Sequence, residues 1–309
     1  MNRLLFYLFL LPFSKLPLGI SYRFADSLYL LFRSVWPYRK TVIDRNLKHS
    51  FPDKSTQEIK QIRNKFYRHL ADLLVEGIRN FGIGAHELQS RIKVINPELM
   101  QHLLEKKKNI LLVGGHYGNW EWVITSQALL FKQHAIGLGK PLSSSFFDTK
   151  INALRGRFGM DIVHAKNYKS YISKEYEHGF AMLTLSDQSP GDSLKSYWTE
   201  FLNQPTAVLF GAEQMAHEYD LSVVFFSLQK IERGRYAMHL ELICESPKGL
   251  NYGAITEKHT QLLEQNIMAK PEFWLWSHKR WKRDLPENLE EIMTQHRAAF
   301  EQKYTAKTP

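Results

Sequence analysis

The run Asn109-Ile110-Leu111-Leu112-Val113-Gly114-Gly115-His116-Tyr117-Gly118-Asn119-Trp120-Glu121-Trp122 decides how the rest of the chain is read. An apolar block, residues 110–113, stops at a glycine pair; Asn119 then stands where a helix cap belongs, before a helical pattern from Trp120 to about Phe131. A buried strand turning into a helix is the repeating unit of α/β folds. Gly114 and Gly115 permit a tight turn and close approach of the backbone to a ligand. The turn carries a histidine, His116, and the first helical turn a carboxylate, Glu121. On one continuous helix a five-residue step rotates roughly 140° and parts two side chains, so only a turn lets this pair meet. The helix dipole favours an ionised Glu121, and a hydrogen bond from one His116 nitrogen to it would leave the other nitrogen as a general base. The plain alternative is a histidine satisfied by backbone groups and a glutamate that only favours the helix start.

Outward from this run, short apolar segments at 135–138, 161–164 and 180–185 alternate with helical patterns, which predicts a mostly parallel sheet flanked by helices. Residues 221–228 and 236–243, joined through Glu232-Arg233-Gly234-Arg235, read as an antiparallel hairpin at one edge of that sheet. Before the sheet, Ser55 and Glu58 form a capping box. Ile59, Ile62, Phe66, Leu70, Leu74, Ile78 and Phe81 then recur at helical steps until Gly82 and Gly84. Another helical pattern covers 252–269 and ends before Pro271.

The first 40 residues contain two apolar runs, 4–13 and 28–32 with Val35-Trp36, separated by Ser14-Lys15-Leu16-Pro17-Leu18-Gly19. Neither reaches the roughly 20 residues of a spanning helix, and no small-residue cleavage site follows the first run. Arg3, Lys15, Arg23, Arg33, Arg39 and Lys40 surround them. The segment reads as an uncleaved hydrophobic helical membrane anchor at an anionic inner leaflet, or as a helix packed on the main domain, or as both at once on opposite faces. The expected organisation is a membrane-associated helical segment over 1–40 and one α/β domain over 41–309.

In 309 residues, 44% hydrophobic content is ample for a core, and a net charge of +10 favours anionic partners. The single cysteine, Cys244, excludes an intramolecular disulfide framework and any zinc site of several cysteines. His116 and Glu121 do not follow the His-Glu-x-x-His spacing, and no Gly-Lys-Ser or Gly-Lys-Thr follows the glycines, so neither a zinc site nor a Walker loop is indicated.

The motif His116-x4-Glu121 in its Gly-Gly-His-Tyr-Gly-Asn-Trp-Glu context resembles the catalytic block of bacterial lipid A biosynthesis acyltransferases, the late branch of the lysophospholipid acyltransferase superfamily. Three further blocks fall in the family's order: Arg155-x-Arg157-Phe158-Gly159, Ser186-Asp187-Gln188-Ser189-Pro190-Gly191, and Pro271-Glu272-Phe273-Trp274-Leu275-Trp276-Ser277-His278-Lys279-Arg280. The resemblance implies an acyltransferase α/β domain with His116 as base and Glu121 as its partner. It needs no cofactor or metal, and it works at the cytoplasmic face of a bacterial inner membrane. The implied donor is an acyl carrier protein or another acyl thioester, and the implied acceptor a membrane lipid hydroxyl. An amino-acid-containing lipid, a lysophospholipid, or a noncatalytic membrane-binding role are the alternatives. Phe201-Leu202-Asn203-Gln204-Pro205 and Phe273-Trp274-Leu275-Trp276 depart from the family's usual wording, which bears on acceptor and acyl-chain preference.

By the same resemblance, Arg155 and Arg157 hold a phosphorylated or polar acceptor, a task suited to guanidinium's paired donors; otherwise they line a solvated helix face. Asp187 and Gln188 follow a strand end, where α/β folds bind ligands, and are expected to orient an arginine or the acceptor unless they only shape a turn. Lys195, Tyr197, Trp198 and Phe201, in a predicted loop, and the cluster from Trp274 to Arg283 suit lipid or carrier contact as well as nucleic-acid stacking. With an anionic membrane surface already implied and no nucleic-acid module present, nucleic acid is not the expected partner.

Overall fold

The structure, a computed structural model, describes residues 2–304. Met1 and residues 305–309, the outer ends of the two expected divisions, lie outside the described residues. Nine strands form, in chain order, β1 (Ile92–Val94), β2 (Ile110–Gly114), β3 (His134–Gly139), β4 (Asp161–His164), β5 (Phe180–Leu185), β6 (Tyr197–Phe201), β7 (Gln204–Val208), β8 (Ser222–Glu232) and β9 (Arg235–Cys244). Seven make one sheet in the order β1-β9-β8-β2-β5-β3-β4. The strands from β8 to β4 are parallel to one another, and β9 with β1 runs the other way. The sheet is thus mostly parallel and flanked by helices, as the alternating pattern predicts.

Every residue of β2 is buried, as a central strand covered on both faces requires. Leu111 and Val113 join one core cluster with Met182, Val223 and Phe225, while Ile110 and Leu112 join the other with Ala181, Leu183 and Val224. That split is the two-residue period of a strand expressed as two layers. Trp122 and Val123 of the helix Trp120–Leu130 cover one layer. The other is covered by Phe66, Leu70 and Val75 of the helix Thr56–Arg79 and by Leu262 and Leu263 of the helix Ala254–Ala269. The capping box of Ser55 and Glu58 forms in both directions.

Three details differ from the sequence reading. The hairpin of β8 and β9 is not the sheet edge, because β1, only three residues long, pairs outside it. Tyr197 to Phe201 is a strand, not a loop: it pairs with β7 across Leu202 and Asn203, whose φ angles are +52° and +60°. Two consecutive left-handed residues make the tight turn that matches strand twist. The Leu202 N–H donates to Glu264 at 2.7 Å and helps hold it. Leu74, placed on the apolar stripe of its helix, is 43% exposed.

Residues 2–14 and 18–35 are helical, and the helix Leu18–Leu30 buries Leu18, Ser21, Ala25 and Tyr29 at helical spacing against the main domain. Its opposite face leaves Ile20, Phe24 and Leu30 exposed, alongside Leu4, Leu5, Leu8 and Phe9 before it and Val35 and Trp36 after it. Among the described residues no helix is long and apolar enough to cross a membrane. Arg233, in the β8–β9 turn, pins this segment by pairing with Asp26 at 2.9 Å and with buried Asp72 at 2.6 Å, and Lys230 meets Asp72 at 2.8 Å. Gly234 beside it has φ +78°, and a Cβ there would stand 2.3 Å from the Tyr22 hydroxyl. Removing Asp72 takes the carboxylate from Lys230 and leaves Arg233 with Asp26 alone, so Asp72→Ala is expected to cost about 2–3 kcal/mol, read as a lower urea midpoint.

Candidate active site

Strands β2 and β5 lie side by side and parallel, with Gly114 opposite Leu185. His116 and Asp187 are each two residues beyond those positions, so equal offsets bring them out together at the carboxyl end of the sheet. His116 Nδ1 stands 2.6 Å from Asp187 Oδ1, and the His116 backbone N–H donates to Oδ2 at 2.9 Å. Trp274 Nε1–H donates to the same Oδ2 at 2.8 Å. Asp187 is buried, its side chain 3% exposed. Burial alone would raise its pKa, but the His116 charge and the donors around the carboxylate outweigh it and bring Asp187 down to about 2. An ionised Asp187 accepts a hydrogen bond from Nδ1–H, which keeps the ring proton on Nδ1 and leaves Nε2 with its lone pair. Gln188 Nε2 lies 3.1 Å from that atom and donates to it.

The turn itself is fixed by close packing. A Cβ on Gly114 would come within 2.6 Å of the Phe226 ring, and one on Gly115 within 2.8 Å of Leu263. These glycines therefore admit protein neighbours to the turn. Gly118, at φ +65°, is the one left-handed residue of the motif. Across the turn lies the block after Pro271: Leu275 N–H donates to the His116 carbonyl at 3.1 Å, and Gly118 N–H to that of Phe273 at 3.0 Å. His278 Nε2 accepts from the Ser189 N–H at 3.1 Å; burial pushes its pKa down to about 4. Arg280 is buried as well and, among the described residues, forms no ion pair; burial lowers its pKa to about 10, against the pull of Asp187.

Glu121 does not reach His116. Its carboxylate accepts from Arg155 twice, at 2.5 and 3.0 Å, a bidentate pair between the motif helix and the helix Ser145–Gly156. For Arg155, burial lowers the pKa but Glu121 more than compensates, and the net shift is upward. The expected pairing of Glu121 with the ring is thus replaced by Asp187, and the expected pairing of Asp187 with an arginine or acceptor is replaced by His116. Both follow from strand adjacency, which spacing along the chain does not reveal. Arg157 stands apart from the pair; its Nε and one terminal nitrogen are buried without a hydrogen-bond partner among the described residues, and burial beside Arg79 lowers its pKa to about 10.

Asn119 caps the motif helix by accepting from the Trp122 N–H at 3.0 Å, as its position predicts. Its amide donates to Glu76 Oε2 at 2.6 Å, and Tyr236 and Tyr22 donate to the same carboxylate at 2.8 and 2.7 Å. Glu76 is fully buried, and that burial raises its pKa. Sequence reading missed Glu76, the donor Trp274 and the contact of His278. Asp72 and Glu76, two carboxylates on the buried, mostly apolar side of the helix Thr56–Arg79, are the signal that was available for Glu76.

A histidine oriented by a buried carboxylate at the carboxyl ends of parallel strands is the equipment of an α/β enzyme that uses general-base chemistry. The family model for bacterial lipid A biosynthesis acyltransferase matches residues 3–283, and the chain belongs to that family. It is 23% identical to the lipid A biosynthesis lauroyltransferase of Escherichia coli, over 87% of each chain. It is also 23% identical to a lipid A biosynthesis acyltransferase of Haemophilus influenzae, over 79% of this chain and 78% of that one.

Proposed function

We propose that the protein transfers a fatty acyl group from an acyl carrier protein thioester to a hydroxyl of a lipid A precursor. The observation that carries this reading is the 2.6 Å contact of His116 Nδ1 with Asp187, which frees Nε2 to act as base. Nε2 takes the hydroxyl proton as the oxygen attacks the thioester carbonyl, forming a tetrahedral intermediate. Asp187 stabilises the resulting imidazolium. Collapse breaks the carbon–sulfur bond, and the departing sulfur receives the proton from His116, so no acyl-enzyme is required. Glu121 acts through Arg155, which it holds in one orientation, and Arg157, with buried unpartnered nitrogens, takes a phosphate of the acceptor. Gln188 must yield Nε2 to the incoming hydroxyl. The net charge of +10 suits both an acidic carrier and an anionic leaflet.

The test is mass spectrometry of lipid A from a strain lacking the protein, with and without complementation by the intact gene. One acyl chain missing in the deletion and restored by the gene supports the reading; an unaltered lipid A with a change in another lipid class would redirect it to that class.

The exposed apolar face of residues 2–36 supports attachment to the cytoplasmic face of the inner membrane, with insertion to the acyl boundary. Leu8 and Phe9 are 60% and 64% exposed, so serine at both positions leaves the fold intact. The double variant is expected to bind vesicles containing anionic lipid about tenfold more weakly or worse. Equal sedimentation of both proteins with the vesicles would sink the attachment.

A further inference from the structure

Between β3 and the helix Ser145–Gly156 the chain runs Lys140-Pro141-Leu142-Ser143-Ser144. Strands β2 and β3 are both parallel to β5, so this loop leaves the sheet at the same carboxyl edge that presents His116 and Asp187. It carries one cation and no carboxylate, and Leu142 is 43% exposed. The loop is tied down from behind. The Leu142 N–H donates to Asp148 Oδ1 at 2.8 Å, and the Asn152 amide donates to the other oxygen of that carboxylate at 3.1 Å. The nearby acidic group is thus spent inside the helix start, and an apolar side chain on a fixed backbone faces solvent.

A single exposed leucine is ordinary on a protein surface, but this one adjoins others. The Asn2 amide donates to Ser144 Oγ at 3.2 Å, and the Phe146 ring packs edge-on against Phe6 and Tyr7, with centroids 5.7 and 6.3 Å away. The Lys150 ammonium lies between 5.2 and 5.8 Å from the centroids of all three rings, a set of cation–π contacts that clasps the two segments together. The loop therefore continues the apolar face of Leu4, Leu5, Leu8 and Phe9, and exposed Arg3 and Lys140 give that joint face positive charge. The clasped helix carries Arg155, and Arg157 follows it directly. We propose that residues 140–144 are a second membrane-contact element, which inserts Leu142 into an anionic leaflet beside residues 2–9, so that the acceptor reaches Arg155 and Arg157 directly out of the bilayer. The inference rests on the membrane attachment and acyl transfer read above and adds to them which edge of the catalytic domain faces lipid. An acidic protein would also be drawn to Lys140; continuity with the larger apolar face favours lipid.

The test places an environment-sensitive NBD dye at one position at a time, in full-length protein whose half-buried native thiol is removed by Cys244→Ala. Leu142→Cys probes the loop and Leu8→Cys the amino-terminal face. Glu105→Cys is the control, because Glu105 is exposed and ends the helix that leads into the amino end of β2, the opposite edge of the sheet. With vesicles of phosphatidylethanolamine and phosphatidylglycerol, the dyes at 142 and 8 are expected to shift to the blue and to be quenched by lipid brominated in its acyl chains, while the dye at 105 stays as it is in buffer. Quenching at 8 without quenching at 142 overturns the proposal and leaves the attachment standing; quenching at neither refutes the attachment as well. Equal quenching at 105, or a shift at 142 produced by acyl carrier protein and not by vesicles, also overturns it. In turnover, Lys140→Gln combined with Leu142→Ser is expected to lower kcat/KM about tenfold for an acceptor held in those vesicles and to leave it unchanged for the same acceptor dispersed in detergent. Equal loss in both, or no loss in vesicles, overturns the proposal. A wild type that transfers no acyl chain to either form refutes the acyl-transfer reading, and the quenching alone then decides the insertion.

Discussion

Asp187→Asn is expected to lower kcat by about 10³–10⁴ while leaving the KM for the acceptor nearly unchanged. The substitution preserves size, and the amide oxygen can still accept from Trp274 and from the His116 backbone. What it changes is the tautomer. An amide N–H facing Nδ1 donates where the carboxylate accepted, so the ring proton moves to Nε2 and the base loses its lone pair. The loss therefore falls on the chemical step. Glu121→Gln is the necessary comparison. With its carboxylate 2.5 Å from Arg155, Glu121 acts on an acceptor-binding group, and its loss is expected to be about tenfold, mostly in acceptor KM. The ranking discriminates two arrangements of the same motif. If Glu121→Gln takes the larger loss in kcat and Asp187→Asn costs less than about tenfold, the histidine is oriented as motif spacing suggests.

Why the spacing misled is a matter of topology. His116 and Glu121 are five residues apart and invite pairing, yet Asn119 starts a helix that carries Glu121 toward the helix Ser145–Gly156, where Arg155 takes both oxygens. Asp187 is 71 residues from His116 along the chain. Their meeting depends on β5 being the neighbour of β2 and on Gly114 standing opposite Leu185, neither of which hydropathy encodes. The apolar blocks themselves were legible, because central strands are almost wholly apolar, with Thr184 the one polar residue in the two: residues 110–113 and 180–185 are strands as read. The ribbon of β6 and β7 was hidden because Leu202 and Asn203 occupy the left-handed turn where Asn-Gly would have announced it. At the amino end the pattern was legible to the level of faces. Leu18, Ala25 and Tyr29 dock on the domain, while Phe24 and Leu30 stay outside. That division is what two short apolar runs flanked by basic residues can specify.

Glu76→Ala is expected to destabilise the protein by about 4 kcal/mol. Three donors converge on this carboxylate, and two of them, the Asn119 amide and the Tyr236 hydroxyl, belong to buried residues with no water to replace it. Each buried donor left unmade costs about 1–3 kcal/mol. Glu76→Gln separates the hydrogen bonds from the charge. Burial raises the Glu76 pKa above its ordinary 4.5, so the folded state holds the proton more tightly than the unfolded chain. Its contribution is then fully present below 4.5 and is lost as pH rises toward the raised folded value. Asp187 has the opposite sign: its pKa is lowered from 3.8 to about 2, and its contribution is present above 3.8 and lost as pH falls toward 2. Unfolding free energies measured by urea from pH 4 upward should therefore fall for the wild type across the window above 4.5 relative to Glu76→Gln, which has no proton to release there. Parallel curves for the two proteins would mean that Glu76 ionises as readily in the fold as outside it, and that the three donors satisfy it completely.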